Sequence, residues 1–161
     1  MGIKAFFLST LTSKKLKPPR KFDTFESLVI KSKFGKNDVT VLGLYRLPKT
    51  VSGEYALKLE SDFHDILAWA NLQTNFVVIM EDLNLDRLEP QLKEGKVLCD
   101  LEDVYGLSPT RITDKSQTLS DVILTNKPEL FNEAVVYDPS ISDHSIVKGI
   151  MSENAINHLE K

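Results

Sequence analysis

The sequence predicts an α/β or α+β sandwich. Three observations carry that expectation. Short runs rich in β-branched residues recur, as in Val39-Thr40-Val41-Leu42 and Val77-Val78-Ile79-Met80. Helical periodicity is confined to two stretches, 54–73 and 88–104. The 161 residues suit one domain with a core of its own. Many strands and few helices bury their apolar faces by layering sheets and helices.

The elements follow in order. Residues 3–8 read as a strand, and 12–21, with Pro18-Pro19, as a loop. Residues 25–31 form a second strand, 35–38 a turn and 39–45 a third strand, so the pair is a hairpin. Arg46-Leu47-Pro48 ends it, and a loop runs through Gly53. Leu59, Phe63, Ile66, Leu67 and Ala70 make one apolar stripe, which predicts a helix over 54–73 with Ser52 as a candidate cap. His64, beside Asp62 and Asp65, reads as a solvated surface histidine. A strand at 76–80 precedes the second helix, 88–104, which carries Leu92, Val97, Leu98 and Leu101 and stops at Gly106. Residues 109–113 are a short extended piece, and 118–125, 135–137 and 146–150 are strands. One domain is expected over 1–152, with a polar tail at 153–161.

Composition narrows the functional classes. No run approaches the roughly 18 apolar residues a membrane span needs. No secretory leader is evident, and Phe6 stands where a myristoylation start needs Ser or Thr. Cys99 is the only cysteine, so no internal disulfide forms and no zinc-type cluster exists. An intracellular protein, nuclear or cytoplasmic and not secreted, is expected. The net charge is −3, yet residues 1–21 carry Lys4, Lys14, Lys15, Lys17, Arg20 and Lys21 and no acid. The acidic remainder argues against a broad electrostatic nucleic-acid footprint and leaves room for a small carboxylate site that takes a metal.

The chemistry gathers after the strand at 76–80. Glu81-Asp82-Leu83-Asn84 places Asp82 and Asn84 on one face just past the strand's carboxyl end, where open α/β sheets hold ligands. Taken alone, such an Asp-x-Asn also makes ordinary turns. Ser142-Asp143-His144 lies far downstream. Phosphodiester hydrolysis needs a group for the attacking water, a holder of phosphate oxygen, a metal and a clamp. Asp82 suits the water and Asn84 the water and phosphate. Asp121 can pair with His144 and favour its charged form. Asp143 can ligate a metal, and magnesium needs only one or two carboxylates besides phosphate and water oxygens.

The order of motifs adds a resemblance. Tyr45-Arg46-Leu47-Pro48, Glu81-Asp82-Leu83-Asn84, Pro109-Thr110-Arg111-Ile112-Thr113, Leu119-Ser120-Asp121-Val122-Ile123-Leu124-Thr125-Asn126 and Ile141-Ser142-Asp143-His144 occur in that sequence. Phe25-Glu26-Ser27-Leu28 precedes them. Together they resemble the endonuclease/exonuclease/phosphatase superfamily, and more narrowly the C-terminal portion of the endonuclease domain of LINE-type (non-LTR) retrotransposons. The resemblance implies a four-layer α/β/β/α sandwich, N-terminally truncated, that cleaves phosphodiesters and nicks DNA with Mg2+ or Mn2+. It implies catalytic roles for Asp82, Asn84, Asp121, His144 and Tyr45, a metal ligand at Asp143, and substrate contacts from Asn84, Tyr45, Thr110 and Arg111.

The chain departs from that family at several points. The family's early asparagine and main metal-ligand glutamate have no match, and Glu26 lies in the wrong motif. Glu81 replaces a glycine, Ser120 an apolar residue, and a strand between Gly106-Leu107 and Pro109 is expected to be missing. The activity expected is therefore weak. The alternative is a catalytically dead remnant that serves as a nucleic-acid or protein interaction module.

Overall fold

The computed structural model describes residues 12–46, 52–85, 93–110, 121–137 and 146–151. The predicted strand at 3–8, the tail and the Asp143-His144 motif lie outside them.

The hairpin forms as predicted and is longer at its closed end. Strands β2 (Glu26–Phe34) and β3 (Asn37–Tyr45) pair along their whole length, from Glu26↔Tyr45 to Phe34↔Asn37. Gly35 closes the turn at φ 57°, a left-handed value that costs glycine nothing. Ahead of them lies a strand the sequence did not announce. β1 (Ser13–Leu16) pairs with β2 inside the segment expected to be a loop. Three of its four residues are exposed, so its hydrogen bonds come without an apolar alternation to betray them.

Helix α1 (Gly53–Gln73) starts where the sequence placed it, with the Ser52 hydroxyl accepting from the Tyr55 amide at 3.3 Å. The predicted stripe is buried, and Asp62 is buried with it. β4 (Val77–Asp82) then pairs parallel to β3. It runs two residues beyond the predicted end and so carries Asp82 as its last residue. Helix α2 (Lys93–Tyr105) stops before Gly106, whose φ of 60° suits a helix terminus. β5 (Ser108–Pro109) and β6 (Asp121–Thr125) follow, and a single 3-10 turn (Pro128–Leu130) leads into β7 (Phe131–Tyr137) and β8 (Ile146–Met151). β7 begins four residues before its predicted start. Exposed Asn132 and Glu133 break the alternation there, and the ladder shifts register between Phe131 and Glu133.

The main sheet has the order β1-β2-β3-β4-β6-β5, and β7-β8 form a second, two-stranded sheet. Alternation sorts the core onto two faces. Leu42, Leu44, Val77, Ile79 and Leu124 meet Leu59, Phe63, Ile66 and Leu67 of α1 and Val97, Leu98 and Leu101 of α2. On the other face Val39, Val78 and Ile123 meet Leu130 and the β7–β8 residues Phe131, Val147 and Met151. β4 is covered on both sides, which is why its sequence reads as an unbroken apolar run. Gly149 serves this packing, since a Cβ there would lie 2.9 Å from the Phe131 ring. The described residues therefore build a mixed α/β structure of helices, a main sheet and a smaller sheet. Among them, no helix is long and apolar enough to cross a membrane.

His64 departs from its expectation. It is half-buried rather than fully solvated, and its Nδ1 lies 3.1 Å from the Tyr105 hydroxyl, which donates to the His64 carbonyl at 3.0 Å. The partner comes from α2, 41 positions away, so local sequence gives no hint of it.

Candidate active site

The candidate site forms where β3 and β4 end together. Because the two strands are parallel, their carboxyl ends share one rim of the sheet. Register aligns Tyr45 with Asp82, Asp82 with Asp121 of β6, and Glu26 of β2 with Tyr45. Four neighbouring strands thus contribute Glu26, Tyr45, Asp82 and Asp121 at one level, each about 4.8 Å from the next. Tyr45 and Asp82 are half-buried and Glu26 is exposed.

Alternation continues past the end of β4. Leu83 and Leu85 are each 1% exposed and belong to the helix-side core. Asp82 and Asn84 are turned the other way, as their spacing predicted. Asn84 adopts φ 51°, a left-handed conformation that asparagine tolerates better than most residues. Its Nδ2 donates to Asp82 Oδ1 at 3.1 Å and to the Arg46 carbonyl at 2.8 Å. The second bond crosses to another strand, so the motif is more than a local turn.

Arg46 is the residue that sequence reasoning missed. It is 1% exposed, though arginine is seldom fully buried. Its Nε donates to the Leu83 carbonyl at 2.6 Å and its Nη2 to the Asn84 carbonyl at 2.7 Å. Its own amide donates to the Asp82 carbonyl at 2.9 Å. A planar fork with fixed donors suits two successive carbonyls in a way a lysine cannot. Arg46 therefore clamps the backbone on which Asp82 and Asn84 are mounted. The only sequence signal was its place between Tyr45 and Leu47-Pro48, at the end of a strand.

A second network pins the chain entering β2. The Asp62 carboxylate accepts from Arg20 Nη2 at 2.6 Å, the Thr24 hydroxyl at 2.8 Å, and the amides of Thr24 at 3.2 Å and Asp23 at 3.3 Å. Arg20 also holds Asp65 at 2.6 Å, and Lys58 holds Asp23 at 2.8 Å. Burial alone would push the Asp62 carboxyl up, but the hydrogen bonds from Arg20 and Thr24 outweigh it and hold the carboxyl below its ordinary range. Beside this segment lies a cavity of about 250 Å³ that reaches Tyr45.

Of the other expected residues, Thr110 sits next to β6, with its amide donating to the Ile123 carbonyl at 2.9 Å. Its buried hydroxyl has no hydrogen-bond partner among the described residues. The Asp121 backbone is placed in the row above. Arg111, Asp143 and His144 lie outside the described residues.

Among the described residues no three His, Cys, Asp or Glu side chains group as a metal cage. Magnesium does not require one, since it takes one or two carboxylates and fills the rest with water and substrate phosphate. Asp82 and Asn84 present hard oxygens that suit a water bound to such an ion, and Asp143, the expected metal ligand, lies outside the described residues.

No protein-family model matches the sequence, and no curated protein does either. Solved structures match across most of the chain. The endonuclease domain of TRAS1, a telomere-specific non-LTR retrotransposon, aligns with a TM-score of 0.64 at 15% identity, over 91% of this chain and 72% of that one. An endonuclease/exonuclease/phosphatase family protein from Leptotrichia buccalis aligns at 0.60 and 14% identity, over 91% of this chain and 61% of that one. The inositol polyphosphate 5-phosphatase domain of spSynaptojanin, in complex with inositol (1,4)-bisphosphate and calcium ion, aligns at 0.54 and 14% identity. There the chain covers 87% of itself and spans 53% of the other. The fold is therefore of the endonuclease/exonuclease/phosphatase type, a fold shared by nucleases and phosphatases.

Proposed function

We propose that this chain is a divalent-metal-dependent phosphodiesterase domain of nuclease type, working in the nucleus or cytoplasm, that nicks DNA with Mg2+ or Mn2+. The observation that carries the reading is Asp82 held by Asn84 at the carboxyl end of β4, in register with Tyr45 and Asp121. The neighbours' names add weight, because they include a retrotransposon endonuclease and a phosphatase with a bound calcium ion. A four-layer sandwich, with a further helical layer outside β7–β8, belongs to the same proposal.

Each residue then has one task. Asp82 orients the attacking water and takes its proton as the water oxygen bonds to phosphorus and the bond from phosphorus to the leaving sugar oxygen breaks. Asn84 fixes the Asp82 carboxylate through Nδ2 and turns its carboxamide oxygen toward the water. Tyr45 donates its hydroxyl to a phosphate oxygen, and Thr110 and Arg111 hold the flanking backbone. Asp121 pairs with His144 and keeps it protonated toward the phosphate, where its charge offsets the charge building in the transition state. Asp143 would hold the metal, which when bound neutralises charge on the phosphate and leaving oxygens.

The test is conversion of supercoiled plasmid to open circle with magnesium. Slow nicking that disappears in Asp82→Ala and in His144→Ala is expected. Nicking indifferent to both changes would overturn the reading. So would DNA or protein binding without nicking that ignores magnesium and survives Asp82→Asn, which is the behaviour of an interaction module.

A further inference from the structure

Three features of the cavity beside Tyr45 bear on what it holds. First, its wall is prebuilt. Lys21, Phe22 and Glu26 line it from the segment pinned by Asp62, and Tyr55 lines it from the first turn of α1. The Tyr55 hydroxyl donates to the Thr24 carbonyl at 3.1 Å, so its ring is fixed against that segment. Phe22 and Phe25 stack behind, with ring centroids 5.1 Å apart. A site held this way keeps its shape before a ligand arrives.

Second, its charges are sorted. Arg20 is committed to Asp62 and Asp65, and Lys58 to Asp23. Lys21 forms no ion pair among the described residues. One uncommitted ammonium at the mouth suits one phosphate. The Glu26 carboxylate, level with Tyr45, repels a second phosphate and accepts from a base amino group. Third, position and size agree. Tyr45 belongs both to this cavity and to the row containing Asp82. A volume of about 250 Å³ lies just below the roughly 300 Å³ at which drug-sized pockets begin, so it admits one sugar-base unit and no more.

We infer that this cavity is a subsite for the nucleotide adjoining the scissile phosphate on the β2 side. Lys21 binds that nucleotide's phosphate, and the Tyr45 and Tyr55 rings flank its sugar and base, a contact that tolerates any base. The inference rests on the nuclease reading and names where the substrate strand leaves the Asp82 row.

A fluorescein-labelled DNA oligonucleotide, titrated by anisotropy across a series of salt concentrations with magnesium present, tests it. Lys21→Ala should weaken binding a few-fold and lower the slope of log K against log salt by about one, as expected for one lost phosphate contact. Lys21→Arg should restore both. Lys36→Ala, at the far rim of the sheet, should leave both unchanged. Thermal melts of the variants should match the parent, since the Lys21 side chain holds no ion pair among the described residues. If the parent binds and nicks DNA while Lys21→Ala keeps the parental affinity and slope, the subsite is wrong and the nuclease reading stands. If the parent neither binds the oligonucleotide nor nicks plasmid, both fall together.

Discussion

The two rims of the main sheet solve the same problem by different means. At the rim where β4 begins, polar side chains close the strand ends. The Thr74 hydroxyl donates to the Phe76 carbonyl at 2.7 Å, the Thr125 hydroxyl donates to the Val77 carbonyl at 2.8 Å, and Asn126 accepts from the Val77 amide at 2.9 Å. At the rim where β4 ends, Arg46 does that work from the interior. Tyr45 and Asp82 are thereby left half-exposed and mounted on a fixed backbone. Among the described residues the first rim has the greater room, a cavity of about 540 Å³ among Lys33, Lys36, Asn71, Asn75 and Lys127. Its lysines are long, hydrated and flexible, and its neighbour Leu72 is 84% exposed. Space without immobilised functional groups gives poor alignment for a reaction. The smaller, tighter rim is the better place for chemistry.

Substitutions can break or sharpen that contrast. The largest effect should come from Arg46→Met, which leaves the Leu83 and Asn84 carbonyls without their donor. We expect a loss of about 3 kcal/mol and a melting temperature lower by roughly 6–12 °C, read by calorimetry, with nicking abolished. A variant that melts and nicks like the parent would show that the clamp is dispensable. Next comes Asp62→Asn, which removes the charge that organises the β2 entry, at about 1–2 kcal/mol near neutral pH. Because the folded Asp62 carboxyl lies below its ordinary value, its contribution is full above pH ~4 and drains away as the pH falls through the folded value. The gap between parent and variant melting curves should therefore close in strong acid, and a gap independent of pH would refute the assignment. Gly106→Ala lies at neither rim and sets a scale for pure backbone strain. A Cβ there meets nothing within 4 Å, so only the φ of 60° resists it, at about 1 kcal/mol and roughly 3 °C. The smallest effect belongs to Lys36→Ala and Lys127→Ala, which should leave melting within about 1 °C and nicking unchanged. Loss of nicking in either would move the chemistry to the roomier rim.

Local pattern made some parts of this molecule legible and left others invisible. α1 was readable to within a residue because its cap, its stripe and its length all agree. The hairpin was readable because turn residues separate two β-rich runs. The Asp82–Asn84 pair was readable because a period of two persists past the end of β4. β1 was not, because an edge strand of Ser13, Lys14 and Lys15 has no apolar face to display. The burial of Arg46 was not, because its partners lie 37 and 38 positions away. Asp62 sits on the buried stripe of α1, between Leu59 and Phe63, and an acid there was itself a clue to a distant partner such as Arg20. The resemblance to non-LTR retrotransposon endonucleases found the fold that the solved structures share.

The Arg46 amide donates to the Asp82 carbonyl across a parallel pairing whose two strands are separated in the chain by all of α1. Such a bond forms only after a long loop has closed, which makes it a late and slow event in folding. It can open only when that pairing comes apart. The amide proton of Arg46 should therefore be among the slowest in the chain to exchange with deuterated water, tracking global rather than local opening. The row holding Tyr45 and Asp82 is then complete only when β3 and β4 are paired, so a partly folded molecule has no such row at all.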